Sequence, residues 1–120
     1  MMSTRKKDKI VAIASDHSGF ILKSHLIDEL ASYYPLWDLG HHSESSVDYV
    51  DYGYELAQII SQDQKSVSFG ILICGSGIGM SIAANRFFPV RAALCCSEEQ
   101  ARLAREHNNA NVLVLSSRLV

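Results

Sequence analysis

The chain has 120 residues, 48% of them apolar and 20% charged, with a formal net charge of −2. That length is one domain with room for one core. No basic excess suggests a nucleic-acid partner, and no acidic run suggests a disordered tail.

The first nine residues, MMSTRKKDK, form a basic tail. The apolar run behind them, IVAIA, is too short for a signal-peptide core or a membrane span. Residues 10–120 read as a single domain. Ile10–Ala14 is apolar and β-branched, which predicts a buried strand. Phe20–Tyr34 carries Ile21, Leu22, Leu26, Ile27 and Leu30 at roughly helical spacing, and Pro35 stops it. Leu36–Leu39 is a short strand, and Gly40–Asp48 is a polar loop that includes His41 and His42. Asp51–Ser61 is a second helix. Phe69–Cys74 is a strand, Gly79–Phe87 a helix, Val90–Cys95 a strand, Ser97–His107 a helix and Asn111–Leu115 a last strand. Ser97, followed by Glu98 and Glu99, reads as an N-cap with acids in the first turn.

The strands are unbroken apolar runs, and they alternate with helices. That pattern predicts a five-stranded parallel sheet covered on both faces, a three-layer α/β/α sandwich of Rossmann-like or flavodoxin-like type. In such folds ligands bind at the carboxyl ends of the strands, near a topological switch point. The residues to inspect are Ser15-Asp16-His17, Cys74-Gly75-Ser76 and Ser116-Ser117-Arg118, with His107-Asn108 at a helix end.

The stretch ILICGSGIGMSIAAN, Ile71–Asn85, is the most informative. Met80 stands where a dinucleotide fingerprint needs glycine, and no Lys-Ser or Lys-Thr follows as in a P-loop. What remains is a glycine turn, Gly75, Gly77 and Gly79, opening a helix. It could cradle an anion with free N–H groups, or it could simply need backbone room. A thiol at a helix N-terminus is held more readily as thiolate, so Cys74 beside such a turn could attack a carbonyl or take a proton from the carbon next to one. The plainer alternative is a structural cysteine in a strand. Cys95 and Cys96 end a strand with no glycine turn behind them and are read as structural. An odd cysteine count with two adjacent makes a poor disulfide framework and fits reduced thiols in the cytoplasm. Asp16 and His17 could transfer a proton or bind sugar hydroxyls, or Asp16 or Ser18 could cap the following helix. His107 could complement a helix dipole, Arg118 could bind phosphate or sit on the surface, and His25 reads as a surface residue. No metal-ligand set is found.

The segments IASDHSGFILK, VDYVDYG, ILICGSGIGMSIAANRF, VRAAL and EHNNANVLVLSSR, in that order, resemble the ribose-5-phosphate isomerase type B family, which includes galactose-6-phosphate isomerase subunits. The resemblance implies an aldose–ketose isomerase, with ribose 5-phosphate and ribulose 5-phosphate interconverted through an enediolate in the pentose phosphate pathway. It implies no metal and no cofactor. A six-carbon sugar phosphate such as galactose or allose 6-phosphate, or a sugar-phosphate-binding subunit without turnover, is the alternative. By the same resemblance Cys74 is the base, the turn from Gly75 through Ser76, Gly77 and Ile78 to Gly79 holds the enediolate oxygen, and Ser76 helps move protons. His107 opens the ring with Asp16 nearby. His17 and Arg118 belong to the substrate and phosphate pocket, Asn108 holds the sugar, and Tyr49 lines the pocket. Members are homodimers or tetramers with pockets shared between subunits. Where one branch of the family uses glutamate as base this chain has Met80, and Val50 replaces the usual proline. Members continue past the last strand into a helix that carries phosphate-binding arginines. The sequence as far as Val120 lacks that helix, which implies a weaker phosphate site and an uncovered sheet face.

Overall fold

The computed structural model describes residues 9–40, 49–63 and 65–118. His41 and His42, and most of the loop expected around them, lie outside these residues. The strands are β1 (Ile10–Ser15), β2 (Leu36–Gly40), β3 (Val67–Cys74), β4 (Ala92–Leu94) and β5 (Val112–Ser116). All pair in parallel in the order β2-β1-β3-β5-β4. The α-helices are α1 (Phe20–Leu30), α2 (Tyr49–Gln62), α3 (Ile78–Ala84) and α4 (Glu98–Asn108). This is the predicted α/β architecture.

Alternation along each strand divides the core into two layers. Ala12 and Ala14 of β1, Leu72 and Cys74 of β3, and Val112 and Val114 of β5 point to one face. There they meet Leu56, Ala57 and Ile60 of α2 and Met80 and Ala84 of α3. Leu56, Ile60, Leu72, Met80, Val112 and Val114 are fully buried, each contributing about 1.5–3 kcal/mol over exposure. Val11, Ile13, Ile71 and Ile73 point the other way, against Leu22, Leu26, Ile27 and Leu30 of α1. Coverage of this second face is thinner. No residue of α4 is fully buried, and Arg105 stacks on the Phe69 ring at 5.1 Å. An apolar groove of about 520 Å³ remains between α1 and α4, floored by Phe69, Ile71, Leu113 and Leu115.

Several boundaries differ from the sequence reading for local reasons. The first helix ends at Leu30 and not at Tyr34. Tyr33 and Tyr34 both donate to the Leu30 carbonyl in a tight turn, because the residue before Pro35 is driven out of the helical region. The third helix ends at Ala84 and not at Phe87. The Asn85 side chain donates its Nδ2–H to the Ala92 carbonyl and accepts the Ala92 N–H at Oδ1. β4 shrinks to three residues because Asn111 claims the backbone of Arg91 at its entrance. Ahead of α1 lies a 3-10 turn, His17–Gly19, that the periodicity did not reveal. Asp16 caps that turn, and α1 itself starts after Gly19 with no side-chain cap. Ser97 caps α4 as expected, accepting from the Gln100 N–H at 3.1 Å.

Candidate active site

β1, β3 and β5 are neighbours, so their carboxyl ends open side by side. After β1 the chain crosses outward to β2 and then returns to β3. That reversal makes the β1/β3 crevice the switch point where ligands bind in open parallel sheets. Asp16, Cys74 and Arg118 all fall at this end.

Cys74 closes β3 and is 5% exposed. Its sulfur accepts the Gly77 N–H at 3.1 Å. Gly77 has φ +81°, a left-handed conformation that glycine adopts without strain. A Cβ at Gly77 would also collide with Leu94 of β4. The chain can therefore fold back over the thiol only because that side chain is missing. Ser76 is exposed, and its hydroxyl accepts the Ile78 N–H at 3.2 Å. Tyr49, the first residue of α2, lies directly against Gly79. A Cβ there would stand 2.6 Å from the ring.

Across the crevice, Asp16 is buried at 7% exposure. Its Oδ1 accepts from the Ser18 N–H at 3.0 Å, the Ser18 hydroxyl at 2.7 Å and the Gly19 N–H at 3.1 Å. All three bonds go to one oxygen, which fixes the carboxylate and leaves Oδ2 without a hydrogen bond among the described residues. His17 sits half-buried in the same turn. The Arg118 guanidinium and the Ser18 hydroxyl converge over Gly75, at 3.3 Å and 3.5 Å from where a Cβ would be. Cation, hydroxyl, carboxylate, thiol and bare backbone therefore gather at the carboxyl ends of neighbouring strands. Such a set suits a small, polar, anionic molecule.

The end of β5 holds the turn in place. The Ser117 N–H bonds the Cys74 carbonyl at 2.9 Å, the Arg118 N–H bonds the Gly75 carbonyl at 3.2 Å, and the fully buried Ser116 hydroxyl bonds the same Gly75 carbonyl at 2.6 Å.

Not every predicted residue arrives here. His107 and Asn108 end α4, which runs antiparallel to the strands and finishes just before β5 begins. Cys74 pairs with Ser116 at the far end of β5, while Val112 starts it. Four residues of strand, about 13 Å, separate those levels. His107 and Asn108 thus occupy the opposite end of the sheet from Cys74. Their turn is firmly built: Asn109 is left-handed at φ 53°, and the Arg91 guanidinium donates to the Asn108 carbonyl at 2.7 Å. His25 is exposed, as the sequence suggested. Cys95 is buried and Cys96 exposed. Burial first, and then Cys96, pushes the Cys95 thiol pKa up, which suits a structural cysteine.

Sequence reasoning passed over two contributors. Ser18 was considered only as a helix cap, and Ser116 was grouped with Arg118 but given no role. The available signal was a hydroxyl closing an apolar run that must lie beside the glycine strand. Lys23 was missed as well. It is 1% exposed on α1 and paired with both oxygens of Asp38 at 2.8 and 2.9 Å.

Comparison with known proteins agrees with this fold. Residues 11–120 match the Ribose/Galactose Isomerase family. The chain is 47% identical over 111 residues to a putative sugar phosphate isomerase of Rickettsia bellii, covering 92% of this chain and 76% of that one. It is 41% identical over 113 residues to ribose-5-phosphate isomerase B of Escherichia coli, covering 93% and 74%. Among solved structures, a ribose 5-phosphate isomerase of Thermotoga maritima superposes with a TM-score of 0.88 at 50% identity, covering 93% and 77%. Ribose-5-phosphate isomerase B of Mycoplasma genitalium with bound ribulose-5-phosphate superposes with a TM-score of 0.86 at 42% identity, covering 92% and 74%.

Proposed function

The chain belongs to the ribose/galactose isomerase family, and on that premise we propose that it interconverts ribose 5-phosphate and ribulose 5-phosphate with Cys74 as the base. The observation that carries this reading is the buried Cys74 sulfur under the Gly77 N–H, beside a turn in which every second residue is glycine. In this mechanism the Cys74 thiolate removes the C2 proton of the open-chain aldose. The electron pair moves toward the carbonyl and gives an enediolate, whose oxygen meets the N–H groups of the Gly75–Gly79 turn. Return of the proton to C1 gives the ketose. Ser76, whose oxygen is engaged with the Ile78 N–H, has its hydroxyl proton to offer between the two oxygens. Stabilising donors that are already fixed cost no reorganisation when the charge develops.

Arg118, with Ser18 and His17 close by, takes the phosphate. Asp16 offers Oδ2 to a sugar hydroxyl, and Tyr49 walls the pocket against Gly79. His107 opens the furanose ring and Asn108 holds the sugar, both reaching the pocket of a second copy. Two features support a homodimer with shared sites. His107 and Asn108 stand at the wrong end of their own sheet, and Ile78, Ile82 and Phe88 expose apolar side chains along α3 and just beyond it, next to the turn. The three free cysteines fit a cytoplasmic enzyme of the pentose phosphate pathway.

The test is conversion of ribose 5-phosphate to ribulose 5-phosphate followed by NMR, with Cys74→Ala as the control. Turnover that vanishes in a folded variant is the expected result. Substantial turnover by Cys74→Ala would refute the assigned base.

A further inference from the structure

Arg118 and Cys74 are accounted for by the reading above, but the residue that joins them is not. Ser116 ends β5 directly opposite Cys74. It is fully buried, and its hydroxyl donates to the Gly75 carbonyl at 2.6 Å while its oxygen accepts the Arg118 N–H at 3.3 Å. A strand end needs no such hydroxyl, because the Arg118 N–H already serves the Gly75 carbonyl. The geometry of the peptide unit shows what it adds. In a trans peptide the C=O and the following N–H point in opposite directions. Holding the Gly75 carbonyl toward β5 therefore turns the Ser76 N–H away from β5. In the same way, the Ser117 N–H on the Cys74 carbonyl turns the Gly75 N–H away from β5, to the β1 side. Neither of these N–H groups has a partner among the described residues. They form an adjacent pair of unspent donors beside the thiol, the arrangement that binds an oxyanion.

We propose that Ser116 is a positioning residue that aims the Gly75–Ser76 donors at the enediolate and seats Arg118 beside them. The proposal rests on the isomerase reading, and it adds a part to that reading. Without the hydroxyl the Gly75–Ser76 peptide keeps one weaker tether and can rotate, and donors that rotate must be reorganised as charge develops. The effect belongs to the transition state more than to substrate binding, so it falls on kcat more than on KM.

The experiment compares wild type, Ser116→Ala and Ser116→Thr in the full chain. Ser116→Ala should lower kcat about tenfold, the rate equivalent of one ordinary hydrogen bond, with KM changed less than about threefold. Ser116→Thr keeps the donor and should recover most of the loss. A second arm measures binding of two probes, inorganic phosphate and a phosphorylated four-carbon hydroxamic acid whose planar anion imitates the enediolate. Ser116→Ala should weaken the hydroxamate by about the same factor as kcat/KM and leave phosphate within about twofold. Unchanged kcat in Ser116→Ala, an equal loss of both probes, or a folded Ser116→Thr as impaired as Ser116→Ala would overturn the proposal. The binding arm needs no turnover, so it reads Ser116 separately. Absence of isomerisation by the wild type is the failure of the isomerase reading instead.

Discussion

Gly79→Ala separates the function of the glycine turn from its stability. Gly79 is the second residue of α3 and has no positive φ, so its backbone accepts alanine. Alanine in place of glycine favours a helix by up to about 1 kcal/mol, less near its first turn. Against this, the new Cβ would stand 2.6 Å from Cε1 and Cζ of Tyr49, and 2.9 Å from its hydroxyl oxygen. Ordinary contact begins at 3.4 Å, so the ring must retreat by about 0.8 Å. Tyr49 is 38% exposed and has room to swing outward, at a rotamer cost of about 0.5–1.5 kcal/mol. The two effects offset, and unfolding stability should change by less than about 1 kcal/mol. Turnover should not be spared, because an error of about 1 Å in a pocket wall can cost up to ~100-fold. The assay is ribose 5-phosphate conversion beside a urea unfolding curve for wild type, Gly79→Ala, Tyr49→Ala and the double variant. Once the ring is gone the methyl has nothing to displace, so the double variant should be no slower than Tyr49→Ala. Wild-type turnover in Gly79→Ala, or losses that simply multiply in the double variant, would refute the assignment of Tyr49 to the pocket wall.

Other outcomes follow from the same geometry. Asp38→Ala leaves the buried Lys23 ammonium without its anion and should cost about 3 kcal/mol in urea unfolding, the low end for such breaks because Asp38 is 32% exposed. Lys23→Met removes the buried charge itself and should cost less, and the reverse order would contradict the account of this pair. Gly77→Ala combines a left-handed φ with a clash on Leu94 and should destabilise by more than about 2 kcal/mol, read as a fall in the urea midpoint. With iodoacetamide near neutral pH, peptide mapping should find Cys96 labelled well before Cys95. Only the thiolate reacts, so the upward shift of the Cys95 thiol holds it back until the pH rises past the ordinary thiol range. Finally, mixing Cys74→Ala with His107→Asn should restore roughly a quarter of wild-type turnover. Random exchange makes half the dimers mixed, and each mixed dimer has one intact shared site. No recovery above the two parents would place both residues in one chain's site.

The fold was legible in the sequence because unbroken apolar strands alternate with amphipathic helices, a pattern that only a covered parallel sheet accommodates. Element ends were less legible because they depend on side chains that contact distant backbone. Asn85 shortens α3 by bonding Ala92, and Asn111 shortens β4 by bonding Arg91. No local periodicity carries that information. In the same way, Lys23 interrupts the core-facing stripe of α1, three and four residues before Leu26 and Ile27, and its partner Asp38, in β2, lies beyond the reach of any local pattern.

The candidate site divides along a similar line. Asp16, Cys74 and Arg118 were found by topology, since each follows a strand. Ser116 and Ser18 escaped because they act through what they hold, a carbonyl and a carboxylate. His107 is the instructive case. Its place just before the last strand puts it at the amino end of the sheet, a fact already implied by the order of elements. Yet its turn is fixed more tightly than a helix end requires. Asn109 closes it in a left-handed conformation, and Arg91, itself clamped by Asn111, anchors the Asn108 carbonyl. Rigidity far from the chain's own crevice makes chemical sense if the histidine is presented outward, to a crevice on another copy. A general acid must arrive within about 3 Å of its target in a fixed orientation, and a frayed helix end could not deliver that across an interface. On the shared-site proposal, the tight turn at one end of the sheet and the open glycine turn at the other supply complementary halves of one site.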